Sequence, residues 1–256
     1  MANIRWTVDE LKLAFYLYCQ LPFGQLHRGN QEIINLAARL GRTPSSVAMK
    51  LSNFASLDPV ITGTGRKGLS GTSQLDRLIW DQFHDDWQSL VDDCSALLAQ
   101  AGEPLEEEDL SFAQVPADYE GLTRETRVKV RVRQRFFRKA VLAGYRGKCC
   151  MSGTSEPRLL NASHISPWSV DPANRLNPAN GLCLSALHDR AFDQGLIALT
   201  DEHTVLVSDR LKKAEDSFIK STLVKLEGAP IELPDRFLPA GDMVRWHREN
   251  VFQAGN

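Results

Sequence analysis

The 256-residue chain has an ordinary globular composition, with 43% hydrophobic and 24% charged residues, and its formal net charge is −2. This mixture excludes a wholly disordered chain, and the small net charge excludes a protein that is strongly basic as a whole. The longest apolar runs fall far short of the ~18 residues that span a bilayer. The first residues lack a basic-then-apolar signal segment, so we expect a cytoplasmic protein with no membrane partner.

Charge is distributed unevenly along the chain. Residues 81–120 carry twelve acidic residues and no Lys or Arg, whereas residues 121–148 carry ten Lys or Arg against one acid. A change of this size is typical of a domain boundary, and the acidic part has the composition of a linker. The sequence therefore predicts a helical N-terminal domain at 1–95, an acidic linker at 96–120 and a second domain at 121–256.

The N-terminal part carries strong helix signals. Thr7 followed by Glu10 is a capping-box pattern, and the apolar residues after it recur at helical spacing until Pro22. Good capping residues and stop signals frame further helices. These are predicted at residues 30–40, 43–54 and 74–90.

The helices at 30–40 and 43–54, joined by a tight turn at Gly41, resemble a helix-turn-helix. In that motif the second helix enters the major groove and presents its N-terminal residues to the base edges. The alternative is a plain helical hairpin whose polar face meets only water. In the first interpretation the residues that face DNA are Arg42, Thr43, Ser45, Ser46 and Lys50.

Residue types that carry chemistry are concentrated in one part of the chain. A short apolar strand ends at His164 and is followed by a loop rich in Pro and Asn. A second short strand starts after Asn180 and leads into a helix that Ser185 caps, that carries His188 and that Gly195 closes. The predicted order is strand, loop, strand, helix, with the two histidines and the asparagine at the ends of adjacent elements.

This stretch resembles the HNH endonucleases, whose ββα-metal motif is named for such a His-Asn-His series. The likeness extends to a His-Ile-x-Pro turn at His164, Asn-Gly-Leu at Asn180, Phe-Asp-x-Gly at Phe192, and Gly153 upstream. It covers residues 135–200 strongly. The resemblance implies an α+β chain in which a helical N-terminal module with helix-turn-helix character precedes a ββα-metal nuclease domain.

The resemblance also implies a role for each matched residue. His164 would be the general base that deprotonates the attacking water, a task that suits an imidazole with a pKa near ~6.5. His188 would ligate a single divalent ion, with Mg²⁺ favoured and Mn²⁺ or another transition metal as alternatives. Asn180 would hold the loop that bears the base or, as in some members, touch the metal itself.

The residue before the expected base departs from the family pattern. Many HNH nucleases have an Asp or His ligand there, whereas this chain has Ser163, whose neutral hydroxyl is a poor ligand for a hard dication. Asp193 or Asp189, which share a helix face, would supply the missing carboxylate. Asp193 belongs to the Phe-Asp-x-Gly signature and is favoured. Its alternative role is a turn carboxylate near Gly195.

The five cysteines do not form a zinc-binding pattern. Cys149 and Cys150 are adjacent and Cys183 stands alone, whereas a structural zinc site needs ligands in separated pairs. An odd number without regular spacing also argues against a disulfide framework. We therefore predict reduced, buried thiols and no structural zinc.

The basic segment at 124–148 immediately precedes the nuclease motif. Phe136 and Phe137 begin an apolar helix face, and cations on the same helix are predicted to neutralise DNA phosphates near the cut. These cations are Arg135, Arg138 and Lys139. The alternative is a solvated helix face with the two phenylalanines in the core.

These features together predict a metal-dependent DNA endonuclease of the bacterial restriction type, with the reading of modified bases left open. The N-terminal module would recognise the target, and two cuts in a duplex would require two active sites, hence a homodimer on DNA. One alternative is a DNA-binding regulator whose HNH core has lost activity. In that interpretation, Ser163 in place of an Asp or His ligand reflects the lost activity. Another is a nucleic-acid module that uses the fold only as a clamp.

Overall fold

The computed structural model describes residues 5–63, 71–100 and 124–255. Contacts divide the chain into two compact units, Met1–Ala143 and Gly144–Asn256. The first unit is helical in its described part, and the second combines helices with short antiparallel strands, so the predicted α+β class is confirmed. No helix within the described ranges is both long and apolar enough to cross a membrane.

The first unit is built around its first helix. Helix α1 packs against α2, α3, α5 and α6, and Phe15 of α1 lies at the centre of an aromatic core. The ring of Phe15 is 5.1 Å from that of Phe54, 6.3 Å from Phe83 and 6.1 Å from Trp87. The helices of this region are α1 (Val8–Gln20), α2 (Gln31–Arg39), α3 (Pro44–Ala55), α4 (Pro59–Gly63), α5 (Gln74–Asp85), α6 (Trp87–Gln100) and α7 (Arg124–Gly144).

Local capping explains where the first three helices begin. Thr7 and Glu10 form the predicted capping box, each side chain accepting a hydrogen bond from the backbone N–H of the other residue. Asn30 caps α2 and Thr43 caps α3 through their side-chain oxygens. Gly41, in the turn between α2 and α3, has a φ of 60°, a conformation that glycine adopts without strain. The three predicted helices are confirmed.

The single helix predicted at 74–90 is wrong, because the chain breaks at Asp86. This residue has an extended φ of −146°, and its carboxylate accepts a hydrogen bond from the N–H of Ser89 at the start of α6. An Asp that caps the next helix competes with continuation of the previous one. Residues 96–100 of the predicted acidic linker belong to α6, and its remaining residues lie outside the described part.

The predicted basic helix is present as α7, and within the first unit it packs against α1 and α6. The ring of Phe136 stacks on Tyr16 with centroids 5.1 Å apart, and Arg133 makes a two-pronged ion pair with Asp92 at 3.0 and 2.6 Å. Contacts therefore group most of α7 with the first unit. The domain limits at 95 and 120 stay a prediction, since a functional domain need not coincide with a unit defined by contacts.

The second unit has the predicted strand, loop, strand, helix order. Strand β1 (Leu160–His164) pairs antiparallel with β2 (Gly181–Ser185), in a register that sets His164 opposite Gly181. Helix α8 (Ala186–Asp193) follows at once and packs on both strands. The remaining elements are β3 (Ile197–Leu199), β4 (Val205–Val207), α9 (Asp209–Lys212), α10 (Ser217–Thr222) and α11 (Gly241–Asn250).

Two contacts fix α8 against the C-terminal part of the unit. Phe192 of α8 stacks on His247 of α11 with ring centroids 3.7 Å apart, and His247 Nε2 donates a hydrogen bond to the Phe192 carbonyl. Gly195, which ends the turn after α8, has a φ of 64°, and a Cβ there would collide with the Val251 carbonyl. The glycine predicted to close this helix is therefore required by both conformation and packing.

Candidate active site

His164 ends β1 and is fixed by a backbone carbonyl. Its Nε2 lies 3.0 Å from the oxygen of Arg175. Because a carbonyl oxygen can only accept, Nε2 carries the proton of the neutral ring, and Nδ1 is the nitrogen able to accept a further proton. Burial lowers the pKa of His164 below 6.5, although the Arg175 carbonyl and the charge of Asp189 act in the opposite direction. The ring is therefore neutral at pH 7, as a general base must be.

Asn180 closes the loop that follows His164. Its side chain is fully buried, its Oδ1 accepts from the N–H of Ser166, and its Nδ2 donates to the carbonyls of Ser166 and Asn174. The Asn180 carbonyl also accepts from the N–H of Ile165. Both ends of the amide are thus engaged with backbone, which favours the loop-holding role over metal contact.

Two residues of this loop, which the sequence reasoning did not select, stand beside His164. The ring of Trp168 meets the imidazole edge-to-face with centroids 5.7 Å apart. Arg175 donates from Nε to the Trp168 carbonyl at 2.7 Å, and its guanidinium carbon lies 5.4 Å from the centre of the Trp168 ring. The available signal was that Arg175 is the only cation between His164 and Asn180 in the sequence.

His188 lies in the first turn of α8 and is buried. Its Nδ1 is 3.0 Å from Ser185 Oγ and 3.4 Å from Cys149 Sγ. Burial of the Cys149 thiol raises its pKa, but hydrogen bonds from His188, Ser152 and the nearby backbone outweigh burial and lower the pKa to about 6. One side of the His188 ring is thus committed to neighbours within the unit, which leaves only Nε2 for any ligand.

Two carboxylates share one face of α8. Asp189 is buried and accepts a 2.6 Å hydrogen bond from Nδ2 of Asn161, whereas the Asp193 side chain is largely exposed. Partial burial of its carboxylate, together with repulsion from Asp189, raises the pKa of Asp193 to about 6. A cation between the two carboxylates would relieve this repulsion.

The two predicted metal ligands, His188 and Asp193, both belong to α8. They are five positions apart, roughly 140° around an α-helix, and their ligation of one ion stays a prediction. The hydroxyl of Ser163 is buried without a hydrogen-bond partner in the described part of the chain. Sequence spacing alone did not separate the buried face of α8 from its exposed face.

The residues present fit a divalent ion bound through carboxylates. Among the described residues, no three His, Cys, Asp or Glu side chains converge on one point. Mg²⁺, however, usually keeps several water ligands and is bound by one or two carboxylates. The Asp189–Asp193 pair has this donor chemistry, since the two carboxylates are four positions apart on α8.

All five cysteines are reduced and buried, as predicted. The backbone N–H of Cys150 donates to the carbonyl of Cys183, so these two residues join the segment before β1 to β2. They therefore contribute to the core on which the site rests.

Arg42 is used within the first unit. Its guanidinium makes hydrogen bonds of 2.9 and 2.8 Å to the Glu10 carboxylate and a third to the Arg5 carbonyl, and it lies over the ring of Trp6. These contacts hold the segment before α1 against the turn that precedes α3. The predicted DNA contact of Arg42 has to compete with them.

Lys50 has an internal partner in place of the predicted surface position. Its ammonium is buried against Asp76, with Nζ 2.8 and 3.0 Å from the two carboxylate oxygens. At the start of α3, Thr43 and Ser45 are exposed and Ser46 is half-buried. The serines and Thr43, not Lys50, form the accessible part of the predicted DNA-reading surface.

The cations predicted on the basic helix lie on α7. Arg135, Arg138 and Lys139 are half-buried, whereas Phe136 and Phe137 are buried in the core. This amphipathic arrangement fits both the phosphate-binding interpretation and the solvated-face alternative. Their contact with DNA stays a prediction.

A short antiparallel hairpin followed by a helix, with a histidine fixed at the end of the first strand, is the ββα arrangement of metal-dependent nucleases. A family model described as HNH endonuclease matches residues 149–200, from the segment before β1 to the end of β3. No curated protein matches the chain. The second unit therefore contains an HNH endonuclease domain, which indicates nuclease activity and a nucleic-acid substrate. Nucleases of this class generally use a divalent metal.

Proposed function

We propose that the protein is a metal-dependent DNA endonuclease of the bacterial restriction type. The observation that carries this proposal is the state of His164, a neutral imidazole whose Nε2–H is held by the Arg175 carbonyl. A base so positioned is what hydrolysis of a phosphodiester requires near neutral pH.

In the proposed reaction Nδ1 of His164 takes a proton from a water molecule. The resulting hydroxide attacks phosphorus, and the bond to the 3′-oxygen breaks. Asp189 and Asp193 would hold the divalent ion, which supplies Lewis-acid stabilisation of the phosphate and the leaving oxygen. Asn180 keeps the loop after His164 in place, and buried His188 braces the start of α8 through Ser185 and Cys149.

The test is cleavage of a supercoiled plasmid in the presence of Mg²⁺. Wild type should nick or linearise the plasmid, and His164→Ala should reduce the rate on the order of 10²–10⁴-fold, the usual contribution of a general base. His203→Ala is the matched control, because His203 is a half-buried histidine of the same unit whose ring Nε2 contacts the Pro239 carbonyl. Cleavage that survives in His164→Ala would overturn the mechanism.

We also propose that the start of α3 reads the target. Its accessible residues, Ser45 and Ser46, occupy the positions that face base edges in a helix-turn-helix. Ser45→Glu would place a negative charge there, so target selectivity should fall while the chemical step is unchanged. Gln31→Glu, an exposed change at the start of α2, is the control. Sequencing the ends produced from genomic DNAs that differ only in methylation would report selectivity and modification dependence together.

The basic helix α7 is proposed to contact the DNA backbone through Arg135, Arg138 and Lys139. The salt slope of binding is the slope of the logarithm of the DNA-binding constant against the logarithm of the salt concentration. Each phosphate contact that is lost should reduce its magnitude by about one. DNA binding of glutamine variants at these positions, measured by fluorescence anisotropy at several salt concentrations, tests this proposal. An unchanged salt slope would instead support the interpretation that these residues form a solvated helix face. Sedimentation of the protein bound to DNA would show whether two copies of the chain assemble on the duplex.

A second candidate function is a DNA-binding regulator with an inactive nuclease core. Ser163 in place of an acidic ligand favours it, as does the lack of three converging ligands in the described residues. Binding without cleavage under Mg²⁺, Mn²⁺, Co²⁺ and Ni²⁺, on modified and unmodified DNA, would decide for the regulator.

A further inference from the structure

We propose that Arg175 is a further catalytic residue, which binds the scissile phosphate of the DNA beside His164. This inference rests on the proposed nuclease function and assigns the substrate-binding cation of the same site. Its basis is the placement of the Arg175 side chain, which has no acidic partner among the residues that the structure describes.

Arg175 is anchored at both its backbone and its side chain. Its carbonyl accepts the hydrogen bond from His164, and its Nε donates to the Trp168 carbonyl at 2.7 Å. The guanidinium also lies over the Trp168 ring, which itself meets the His164 ring edge-to-face. The Arg175 guanidinium and the His164 imidazole thus both contact the same Trp168 ring.

The loop that presents this guanidinium is braced on the other side as well. Asn180 Nδ2 donates to the carbonyl of Asn174, the residue directly before Arg175, and Asp171 accepts from the Asn174 N–H and side-chain amide. Donors that are fixed before the substrate arrives stabilise developing charge most effectively.

Among the described residues, no acidic group neutralises the charge of Arg175. The bond to Trp168 uses one of five N–H donors, and no carboxylate of the described residues lies within ion-pair distance of Arg175. By contrast, Arg42, Arg133 and Arg146 each have an acidic partner. A half-buried guanidinium with no carboxylate is suited to an anion from outside, and its planar fork matches two phosphate oxygens.

Three variants test the assignment. Arg175→Gln removes the charge but keeps an amide N–H that can reach the Trp168 carbonyl, and Arg175→Lys keeps the charge but loses the fork. Arg158→Gln is the control, because Arg158 is an exposed arginine before the opposite end of β1 and has no ion pair within the described residues. Cleavage rates, DNA affinity at several salt concentrations and thermal unfolding are measured for all three.

We expect Arg175→Gln to lower kcat on the order of 10²–10³-fold, the effect of removing one fixed donor to the transition state. Its salt slope of DNA binding should fall by about one. Arg175→Lys should recover the salt slope but not the full rate, and Arg158→Gln should cleave within about twofold of wild type by comparison.

The outcomes separate this assignment from the proposed function. If wild type cleaves and Arg175→Gln cleaves equally well, the Arg175 assignment falls while the nuclease function stands. If wild type cleaves with none of the metals, the nuclease function falls, and an unchanged salt slope in Arg175→Gln then overturns the phosphate contact as well. If Arg175→Gln fails to fold, Arg175→Lys decides, because a wild-type rate in that variant contradicts the two-pronged contact.

Discussion

The imidazole of His164 and the backbone carbonyl of Arg175 are joined by one hydrogen bond, from Nε2 to oxygen over 3.0 Å. The bond fixes the tautomer of the neutral ring, because the carbonyl cannot donate. It does so through backbone, so a side-chain change at position 175 leaves it in place. In the proposed mechanism the two residues would therefore act separately, His164 as base and Arg175 as cation.

The pH dependence of cleavage should follow the pKa of His164. Burial lowers this pKa below 6.5, and only the neutral ring can take a proton from water. The acidic limb of the rate profile should therefore have its midpoint below pH 6.5. The measurement is kcat/KM on a DNA substrate from pH 5 to pH 8. An acidic limb with a midpoint above pH 6.5 would show that another group controls the step.

Asn180 should be needed more for the loop than for metal binding. Asn180→Ala removes three hydrogen bonds to backbone, two of them buried, and each buried group left unpaired costs about 1–3 kcal/mol. The free energy of unfolding should fall by several times the effect of an exposed change such as Asn35→Ala, and cleavage should fall with it. Urea unfolding and plasmid cleavage measure the two effects.

Asn180→Asp distinguishes the two roles left open by the sequence. The new carboxylate can still accept from the Ser166 N–H but would face the Ser166 and Asn174 carbonyls without a hydrogen to donate. A loop-holding residue should therefore lose stability without gaining metal affinity. Tighter Mn²⁺ binding by Asn180→Asp in calorimetry would instead indicate a metal ligand.

The nuclease core was predictable because its signals are local. Ser185 at a helix start, Gly195 at a helix end and the turn sequence at Asn180 each determine backbone within a few residues. The order of strand, loop, strand and helix follows from such signals alone. The family motif then placed His164 at the end of β1, where the structure has it.

The contacts that the sequence did not reveal depended on distant partners. Lys50 looked like a surface cation because its partner Asp76 lies 26 positions along the chain, in another helix. His188 and Asp193 were paired as ligands without knowing which face of α8 is buried. Arg175 was overlooked because its proximity to His164 depends on a loop that folds back on itself. Periodicity and composition carry no information about such contacts.

The buried pair of Lys50 and Asp76 should be important for the stability of the first unit. Removing one partner leaves an uncompensated buried charge, which destabilises a protein by about 3–5 kcal/mol. Lys50→Met should show a loss of this size in urea unfolding. Lys12→Met is the control, because its partner Asp93 is partly exposed and such pairs contribute about 0–1 kcal/mol.

A double-variant measurement sharpens this prediction. Lys50→Met combined with Asp76→Leu removes both charges, so the combined loss should be smaller than the sum of the two single losses. If Lys50→Met is as stable as Lys12→Met but binds DNA more weakly, the lysine is a surface cation after all, and its originally predicted role is restored.

The second unit should become less stable at acidic pH because His247 is buried in its neutral form. Burial lowers the pKa of this histidine to about 4, against 6.5 for an unburied ring, while the hydrogen bond to the Phe192 carbonyl acts in the opposite direction. The neutral ring donates from Nε2, and its Nδ1 is buried without a partner in the described residues, so protonation would create an unpaired buried N–H.

Because the pKa is lower in the folded state, the contribution of His247 to stability is complete above pH 6.5 and is lost as the pH falls from 6.5 towards 4. The full loss amounts to about 3 kcal/mol, at 1.36 kcal/mol per pKa unit. His247→Gln should be less stable than wild type at pH 7 but should show a shallower decline in urea unfolding between pH 6.5 and pH 4. The decline should not vanish, since His164 is also buried in its neutral form. A variant whose decline is as steep as that of wild type would exclude His247 as the group responsible.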